Sequence, residues 1–273
     1  MKMSTPLYAV ILGASSGFGK AACLALAEKG YHIIGVHLDR AAGLAAVEEL
    51  KTEITNKGVT AEFFNVNAAD ATNRATVVEA IKNRCAETGG AVWFLLHSLA
   101  FGTLKPFVAE KASDSISQKS IEMTMDVMAN SLIYWTQDLV QGGLFSQGGR
   151  VASLTSSGSH RAIPTYGAVS AAKAALESYT RQLALELAPY NVTCNTIRAG
   201  VTDTPALRKI PGNDRLIANA YNRNPFHKLT TPEDVANVLV LLSQKEAAWI
   251  NGIVLGVDGG EDSIDLTWWE AQA

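Results

Sequence analysis

The sequence has few of the residues that build metal centres, disulfide frameworks or nucleic-acid interfaces. Cysteine occurs three times among 273 residues, at Cys23, Cys85 and Cys194, each inside an apolar segment and without the spacing of metal ligands. This pattern predicts buried, reduced thiols in a cytoplasmic protein, and it predicts no metal site. The formal net charge is −3, so no strong basic field favours a nucleic-acid partner.

Long hydrophobic runs are also missing, although 48% of the residues are hydrophobic. No segment approaches the about 20 uninterrupted apolar residues of a membrane span, so we expect no membrane partner. Met1 to Pro6 are short and polar and lack the layout of a secretory signal, which favours a cytoplasmic location. The hydrophobic content is enough for one large core, and we expect a single domain over residues 1–273.

Short apolar runs alternate with helical patterns almost throughout the chain. The predicted strands are Leu7–Leu12, Tyr31–Val36, Ala61–Val66, Val92–His97, Arg150–Leu154, Val192–Ile197 and Ile253–Val257. The predicted helices are Gly19–Lys29, Ala41–Asn56, Ala71–Glu87, Ile121–Gln141, Ser170–Leu187 and one that opens at Pro232. The strands are nearly continuous in hydrophobicity, as expected where both sheet faces are covered. We therefore predict an α/β fold: a single Rossmann-type, doubly wound parallel sheet of about seven strands, with helices on both faces.

A glycine-rich loop follows the first predicted strand and opens the first predicted helix, which is the setting of a dinucleotide site. Gly13 permits a tight turn, Gly17 lets a pyrophosphate approach the backbone, and Gly19 allows close packing of helix on strand. Free N–H groups at the helix start favour phosphates. The alternative is a turn that simply needs positive φ angles. The loop side chains complete this predicted cofactor site: Ser15, Ser16 and Phe18.

A second group of polar residues lies between Ser156 and Lys173. Six residues separate Tyr166 from Lys173. On a helix the two side chains share one face, about 10 Å apart along the axis, so their polar ends can converge on one bound molecule. Taken alone, a tyrosine near a helix start packs and a helical lysine is solvated. Together with the glycine loop, the pair predicts catalysis; for Ser156, a plain strand-end turn remains the alternative.

The glycine spacing, Gly-x3-Gly-x-Gly, resembles the short-chain dehydrogenase/reductase family, and the resemblance covers nearly the whole chain. The further segments that carry it are the lysine helix, Ala199–Thr204, Pro232–Ala236 and Val257–Gly260. The Tyr-x6-Lys arrangement is similar to the enoyl-acyl-carrier-protein reductases within that family. So are Arg161–Tyr166 and His97–Phe101, and Asp203–Leu216 is most similar to their third, NADPH-using type.

The resemblance implies an enzyme of fatty acid biosynthesis that reduces the double bond of a trans-2-enoyl thioester with NADPH. Tyr166 would donate a hydrogen bond to the developing enolate, with help from Ser156, and Lys173 would hold the nicotinamide ribose. The resemblance also implies a substrate on acyl carrier protein, a homotetramer, and a substrate-binding lid over residues 201–226. The cofactor contacts it implies are Asn65, Val66, His97, Ser98, Lys173, Gly200, Thr202 and Thr204.

The choice between NADPH and NADH depends on the end of the second predicted strand. NADH-using relatives usually carry an acidic residue there, whereas this chain has His37, followed by Asp39 and Arg40. Arg40 with His37 could pair with a 2′-phosphate, which favours NADPH over NADH. Alternatively, Asp39 and Arg40 merely start the next helix.

Two other functions remain open at this stage. Ser156 also occupies, counted back from Lys173, the place of the catalytic serine in ketone-reducing relatives, which favours a carbonyl reductase or alcohol dehydrogenase. Against that, Val169 stands where their tyrosine would be, and Met128 stands where their helical asparagine would be, with Asn130 facing elsewhere. A cofactor-binding regulator without turnover is the third possibility. Trp268 and Trp269 near the C-terminus either cover a hydrophobic surface or pack within the chain.

Overall fold

The computed structural model describes residues 5–210 and 212–264, so the predictions for Trp268 and Trp269 fall outside it. The described residues form one parallel sheet of seven strands in the order β3-β2-β1-β4-β5-β6-β7. The strands are β1 Leu7–Leu12, β2 His32–His37, β3 Ala61–Asn65, β4 Ala91–His97, β5 Phe145–Ser156, β6 Thr193–Ala199 and β7 Val254–Val257. This topology confirms the predicted doubly wound α/β fold.

Helices cover both faces of the sheet. They are α1 Gly17–Glu28, α2 Leu44–Thr55, α3 Ala71–Thr88, α4 Gln118–Met125, α5 Ser131–Gln141, α6 Gly167–Glu186, α7 Asn213–Arg223 and α8 Pro232–Ser243. A π-helical turn, Asp126–Asn130, joins α4 to α5. One hydrophobic cluster packs α3, α5 and α6 on one face, and the other packs α1, α2 and α8 on the opposite face.

Strand β1 shows why the apolar runs are continuous. Val10 and Leu12 belong to the cluster on one face, whereas Ala9 and Ile11 belong to the cluster on the other. Side chains alternate between the faces of a strand, so a strand covered on both faces must be apolar at every position.

Several element boundaries differ from the predicted ones. Strand β5 starts five residues earlier than predicted, at Phe145, and its register against β4 is irregular around Gly148 and Gly149. The helix predicted over Ile121–Gln141 begins at Gln118 and is interrupted by the π turn. The polar segment after β6, predicted as a lid, contains a full helix, α7.

The carboxyl ends of β1, β4, β5 and β6 meet at one edge of the sheet, where ligands bind in open α/β folds. The glycine loop, Ser98, Ser156 and Gly200 all follow or end these strands. Among residues 5–210 and 212–264, no helix is long and apolar enough to cross a membrane.

Candidate active site

The catalytic candidates come from two adjoining elements. Ser156 is the last residue of β5, and Tyr166 immediately precedes α6, whose second turn carries Lys173. All three side chains line one cavity of about 560 Å³ at the carboxyl edge of the sheet. The structure therefore brings together the three residues that the sequence singled out.

Lys173 is buried, with 7% of its surface exposed. Its Nζ donates a hydrogen bond of 2.6 Å to the backbone carbonyl of Leu154 on β5. Burial lowers the pKa of the Lys173 amine to about 8, because a low-dielectric site disfavours the charged form. The bond to Leu154 uses one of the three ammonium donors, so two remain for a ligand.

Tyr166 and Ser156 lie side by side across Gly158. A Cβ atom built on Gly158 would lie 2.7 Å from Tyr166 Cε1 and 3.2 Å from Ser156 Oγ, so only glycine fits between them. Burial raises the pKa of the Tyr166 phenol, and the neighbouring Ser156 hydroxyl opposes part of that rise. Ser156 Oγ is buried and makes no hydrogen bond of ordinary geometry within the described residues. An acceptor or donor on a bound ligand would satisfy this hydroxyl.

The residue before Tyr166 has a strained backbone. Thr165 has φ 63°, in the left-handed region that β-branched residues rarely adopt. Such strain persists only where the surroundings impose it, and it is concentrated at functional sites. Here it turns the chain sharply from the Pro164 segment into α6 and directs the phenol into the cavity.

The glycine loop fits a dinucleotide. Gly13 has φ 88°, and a Cβ there would lie 2.7 Å from the Ser98 carbonyl oxygen. A Cβ on Gly19 would lie 2.0 Å from the Gly13 carbonyl oxygen, so the turn packs directly on α1. Ser16 stands at the N-cap of α1 without a side-chain capping bond, and the first turn carries no acidic residue. The N–H groups at this helix start are therefore available to a phosphate, beside Ser15 and Phe18.

The cofactor-selecting residues are arranged differently from the prediction. His37 is only 4% exposed, and its Nδ1 lies 2.8 Å from Asp39 Oδ2. Asn65 fixes the same turn, because its side chain accepts from the Asp39 N–H at 2.9 Å and donates to the Asp39 carbonyl at 3.0 Å. His37 is therefore buried against Asp39 and is not exposed as a hydrogen-bond donor for a phosphate. Of the two residues predicted to pair with a 2′-phosphate, Arg40 is the exposed one.

His97 requires a correction, because its side chain does not reach the cavity. The ring is fully buried, and its Nε2 lies 2.8 Å from Ser131 Oγ on α5. Burial, with the nearby Lys173 charge, lowers the pKa of His97 to about 3, so the ring is neutral. The next residue, Ser98, which follows the end of β4, lines the cavity instead.

The remaining predicted contacts follow β6 and β3. Thr202 and Thr204 are nearly buried and line the cavity together with Gly200. Gly200 cannot carry a side chain, because a Cβ there would lie 2.3 Å from Thr230 Oγ1. Val66 donates its N–H to the His37 carbonyl at 2.8 Å, and its side chain packs against a core cluster. Within residues 5–210 and 212–264, no three His, Cys, Asp or Glu side chains lie close enough together to hold a metal ion.

Two residues separate the ketone-reducing and enoyl-reducing arrangements. Met128, in the π turn, is 2% exposed and lines the cavity, whereas Asn130 accepts a 2.9 Å hydrogen bond from the Tyr179 hydroxyl away from it. Val169 lines the cavity where the alternative tyrosine would stand. Tyr166 is therefore the one phenol among the described residues that line the cavity.

Three cationic residues of the cavity wall were not predicted: Arg161, Lys209 and Arg223. Arg161 lies in the loop before Tyr166, and Arg223 ends α7. Arg223 could not be found from the sequence, because α7 is strongly polar and carries no strand or loop motif. Arg161 was part of a recognised segment, but nothing in the sequence distinguished its side chain from a solvated one.

Comparison with known proteins gives a consistent result. Residues 13–261 match the family model described as enoyl-(acyl carrier protein) reductase. The chain is 33% identical over 193 residues to the NADH-dependent enoyl-[acyl-carrier-protein] reductase FabI of Enterococcus faecalis, covering 71% of this chain and 74% of that one. It is also 28% identical over 262 residues to the uncharacterised oxidoreductase YjdA of Bacillus subtilis, covering 95% and 98%.

Solved structures agree on the fold. The enoyl-[acyl-carrier-protein] reductase (NADH) of Aquifex aeolicus superposes with a TM-score of 0.80 at 24% identity, covering 96% of this chain and 97% of the other. At this identity the likeness describes the architecture alone.

Proposed function

Because the chain belongs to the short-chain dehydrogenase/reductase family, in the group described as enoyl-(acyl carrier protein) reductase, we propose that it reduces the carbon–carbon double bond of a trans-2-enoyl thioester with NADPH. As a member of this family it is an oxidoreductase that binds a nicotinamide cofactor. The observation that carries the finer proposal is the Tyr166 phenol in the cavity wall, with Ser156 beside it and Lys173 behind it.

The chain's residues have distinct parts in this reaction. When bound, the cofactor would supply a hydride to the β carbon of the substrate, and a proton from solvent would complete the reduction at the α carbon. After the hydride transfer, negative charge accumulates on the thioester oxygen, where Tyr166 donates a hydrogen bond and the unpartnered Ser156 hydroxyl adds a second. Lys173 holds the nicotinamide ribose, and its charge favours the hydrogen-bonding of the phenol. The apolar part of the wall, which includes Leu99, lowers the local dielectric and so strengthens the hydrogen bonds to the enolate oxygen.

Met128 and Val169 favour an enoyl substrate over a ketone. Hydride addition to a ketone would leave an alkoxide oxygen that must take a proton, and neither Met128 nor Val169 can pass one to it, whereas an enolate takes its proton at the α carbon. A carbonyl reductase remains the second candidate, because Ser156 lies beside Tyr166 as the serine of ketone-reducing relatives would.

The preference for NADPH is supported by charge at the end of β2. Asp39 is held by His37, and Arg40 is the exposed cation next to it. An arginine matches a 2′-phosphate in geometry and charge. The FabI relatives are described as NADH-dependent, so the preference needs a direct comparison of the two cofactors.

The proposal extends to partners and to a lid. An acyl carrier protein would deliver the thioester, and four copies of the chain would assemble. The lid is the segment 201–226, in which Ala206, Leu207, Leu216 and Ala220 line the cavity. Its helix α7 borders the cavity through Leu216 and Ala220, as expected of an element that opens for substrate.

The test is a spectrophotometric assay of purified protein with a trans-2-butenoyl thioester and a 3-oxobutanoyl thioester, each with NADPH and with NADH. We expect NADPH oxidation with the enoyl thioester. Tyr166→Phe should lower kcat by about 10²- to 10³-fold, the usual effect of removing one oxyanion donor, while NADPH affinity is kept.

Tyr179→Phe is the matched control, because that phenol lies on the same helix and bonds to Asn130 outside the cavity. It should leave kcat within about twofold of the wild type, as a residue remote from the reacting atoms should. Oxidation of NADPH with the 3-oxoacyl thioester alone contradicts the proposal in favour of the carbonyl reductase. Full activity in Tyr166→Phe contradicts both enzymes.

A further inference from the structure

The cavity is lined by cations and by no carboxylate. Among the described residues that line it, the charged ones are Arg161, Lys173, Lys209 and Arg223, and none is Asp or Glu. The proposed reaction uses Lys173 only, and an uncharged acyl chain would gain nothing from the other three. The Arg161 and Arg223 side chains are each 40% exposed and Lys209 is exposed, so these cations lie where the cavity wall meets solvent and can contact a charged part of a ligand.

Two of these cations are held from behind by neighbouring carboxylates. Arg223 NH2 lies 3.1 Å from Glu261 Oε1, and Arg161 NH2 lies 2.9 Å from Asp262 Oδ1. Glu261 is 3% exposed and the Asp262 side chain 6% exposed, so both carboxylates belong to the protein interior. One turn after β7 therefore fixes two guanidinium groups that come from two different segments, the loop before Tyr166 and the end of α7.

The Arg223 side chain is 40% exposed, and Glu261 is the one hydrogen-bond partner of its guanidinium group among the described residues. Its Nε is buried and makes no hydrogen bond to any residue that the structure describes. A guanidinium group carries five donors in a fixed fork, and Glu261 occupies one of them. The remaining donors match two oxygens of a carboxylate or phosphate, and an arginine already fixed on one side loses less entropy when it binds them.

We propose that Arg161 and Arg223, with Lys209 nearby, form a subsite for an anionic oxygen group carried by the substrate. This inference rests on the proposed enoyl thioester function. The group is either a carboxylate on the acyl part or the phosphate of a pantetheine arm. The cofactor phosphates are assigned to the start of α1, so they do not account for the two arginines.

The test measures binding without turnover. Protein saturated with NADP⁺ has no hydride to transfer, so Kd can be determined by calorimetry for three thioesters. They are 2-butenoyl-pantetheine, its 4′-phosphate, and the pantetheine thioester of 4-carboxy-2-butenoic acid. We expect one of the two anionic ligands to bind at least about tenfold more tightly than the neutral one, in line with charge-assisted hydrogen bonds. The favoured ligand identifies the source of the anion.

The variants assign this preference to the arginines. Arg223→Gln and Arg161→Gln should each remove most of the preference, with the Kd of the neutral thioester and of NADP⁺ within about twofold of wild type. Arg215→Gln is the matched control, since Arg215 is exposed on α7 and does not line the cavity, and it should change nothing. Unchanged NADP⁺ affinity also shows that each variant is folded.

Three results overturn the inference: equal Kd values for all thioesters, equal loss for neutral and anionic ligands in the arginine variants, or a loss confined to NADP⁺. Turnover with NADPH separates it from the proposed function. Reduction of the neutral thioester without an anion preference defeats the subsite alone. An arginine-dependent preference without reduction of any enoyl thioester defeats the proposed function alone.

Discussion

At the scale of single residues, the environment of Lys173 controls its charge. The side chain is 7% exposed, and the one bond that it makes to the protein goes to a neutral carbonyl, Leu154 O, rather than to a carboxylate. Burial is therefore the main influence on the amine, and its pKa falls from 10.5 to about 8. The folded protein holds this proton less tightly than the unfolded chain does.

This difference predicts how stability changes with pH. Between pH 8 and 10.5 the unfolded chain binds more protons at this lysine than the folded protein does, so stability rises with pH across that window. Relative to Lys173→Met, the free energy of unfolding of the wild type should increase by about 3 kcal/mol from pH 7.5 to 10.5. Urea unfolding of both proteins over this range measures the change.

The comparison with Lys173→Met is needed because other groups act in the opposite direction. Burial raises the pKa of Cys23 and Cys194, so both thiols destabilise the fold at alkaline pH, but they do so equally in both proteins. A difference between the two proteins that stays flat over the window contradicts a depressed Lys173 pKa.

Some site residues could be predicted from sequence and others could not. Tyr166 and Lys173 could be predicted from their spacing together with the glycine loop. The structure places Tyr166 just before α6 rather than within it, and both residues line the cavity. His37 and His97 were not, because their roles depend on which sheet face each ring occupies. His97 turns into the core toward Ser131, a contact between residues 34 apart that no local pattern reports.

At the scale of elements, helices with an apolar face could be predicted from the sequence, whereas the polar helix α7 could not. The core helices α1 and α8 could be predicted from their apolar faces, and α8 also from a capping box between Thr231 and Asp234. Helix α7 has one buried residue, Ala220, and lies in a segment rich in polar residues, so the sequence predicted a lid there but not this helix. The π turn at Asp126–Asn130 has no sequence signature, although such turns are frequent at functional sites.

Inside the core, Arg150 hydrogen-bonds to the C-terminal end of α8. Its guanidinium group is 3% exposed and donates to the carbonyls of Leu242 at 2.9 Å and Gln244 at 3.1 Å, at the end of α8. It also lies over the Trp93 ring, 5.6 Å from the centroid. The negative end of a helix and its unpaired carbonyls take the place of a carboxylate partner.

Arg150→Met should therefore destabilise the protein without changing its chemistry. The buried carbonyls at the end of α8 would lose their donors at about 1–3 kcal/mol each, so we expect a loss of about 3 kcal/mol or more in the free energy of unfolding. Urea unfolding gives this value. Arg181→Met, at an exposed site on α6, should change stability by less than about 0.5 kcal/mol. An equal, small effect of both variants contradicts the capping role.

At the scale of the whole molecule, the sequence was sufficient for topology because each level of pattern agreed. Continuous apolar strands, intervening helices and the glycine loop all indicate one doubly wound sheet, and the sheet order bears this out. Contacts between distant segments could not be predicted. The turn that holds Arg161 and Arg223 joins residues about a hundred positions and about forty positions apart along the chain, and it is visible only after folding.

The last strand, β7, lies at the edge of the sheet and is bordered by exposed apolar residues. Leu241 is 64% exposed, Trp249 98% and Ile253 40%. An edge strand carries unpaired backbone groups, and an apolar surface beside it favours contact with another copy of the chain.

We predict that the protein sediments at four times the 29.0 kDa mass of one chain. Replacing both Leu241 and Trp249 by Glu should give smaller, folded species, because two charges would then be buried without partners. Leu38 is 71% exposed and follows β2, far along the sheet from β7, so Leu38→Glu should leave the assembly intact. A wild-type monomer in analytical ultracentrifugation at micromolar concentration contradicts the prediction.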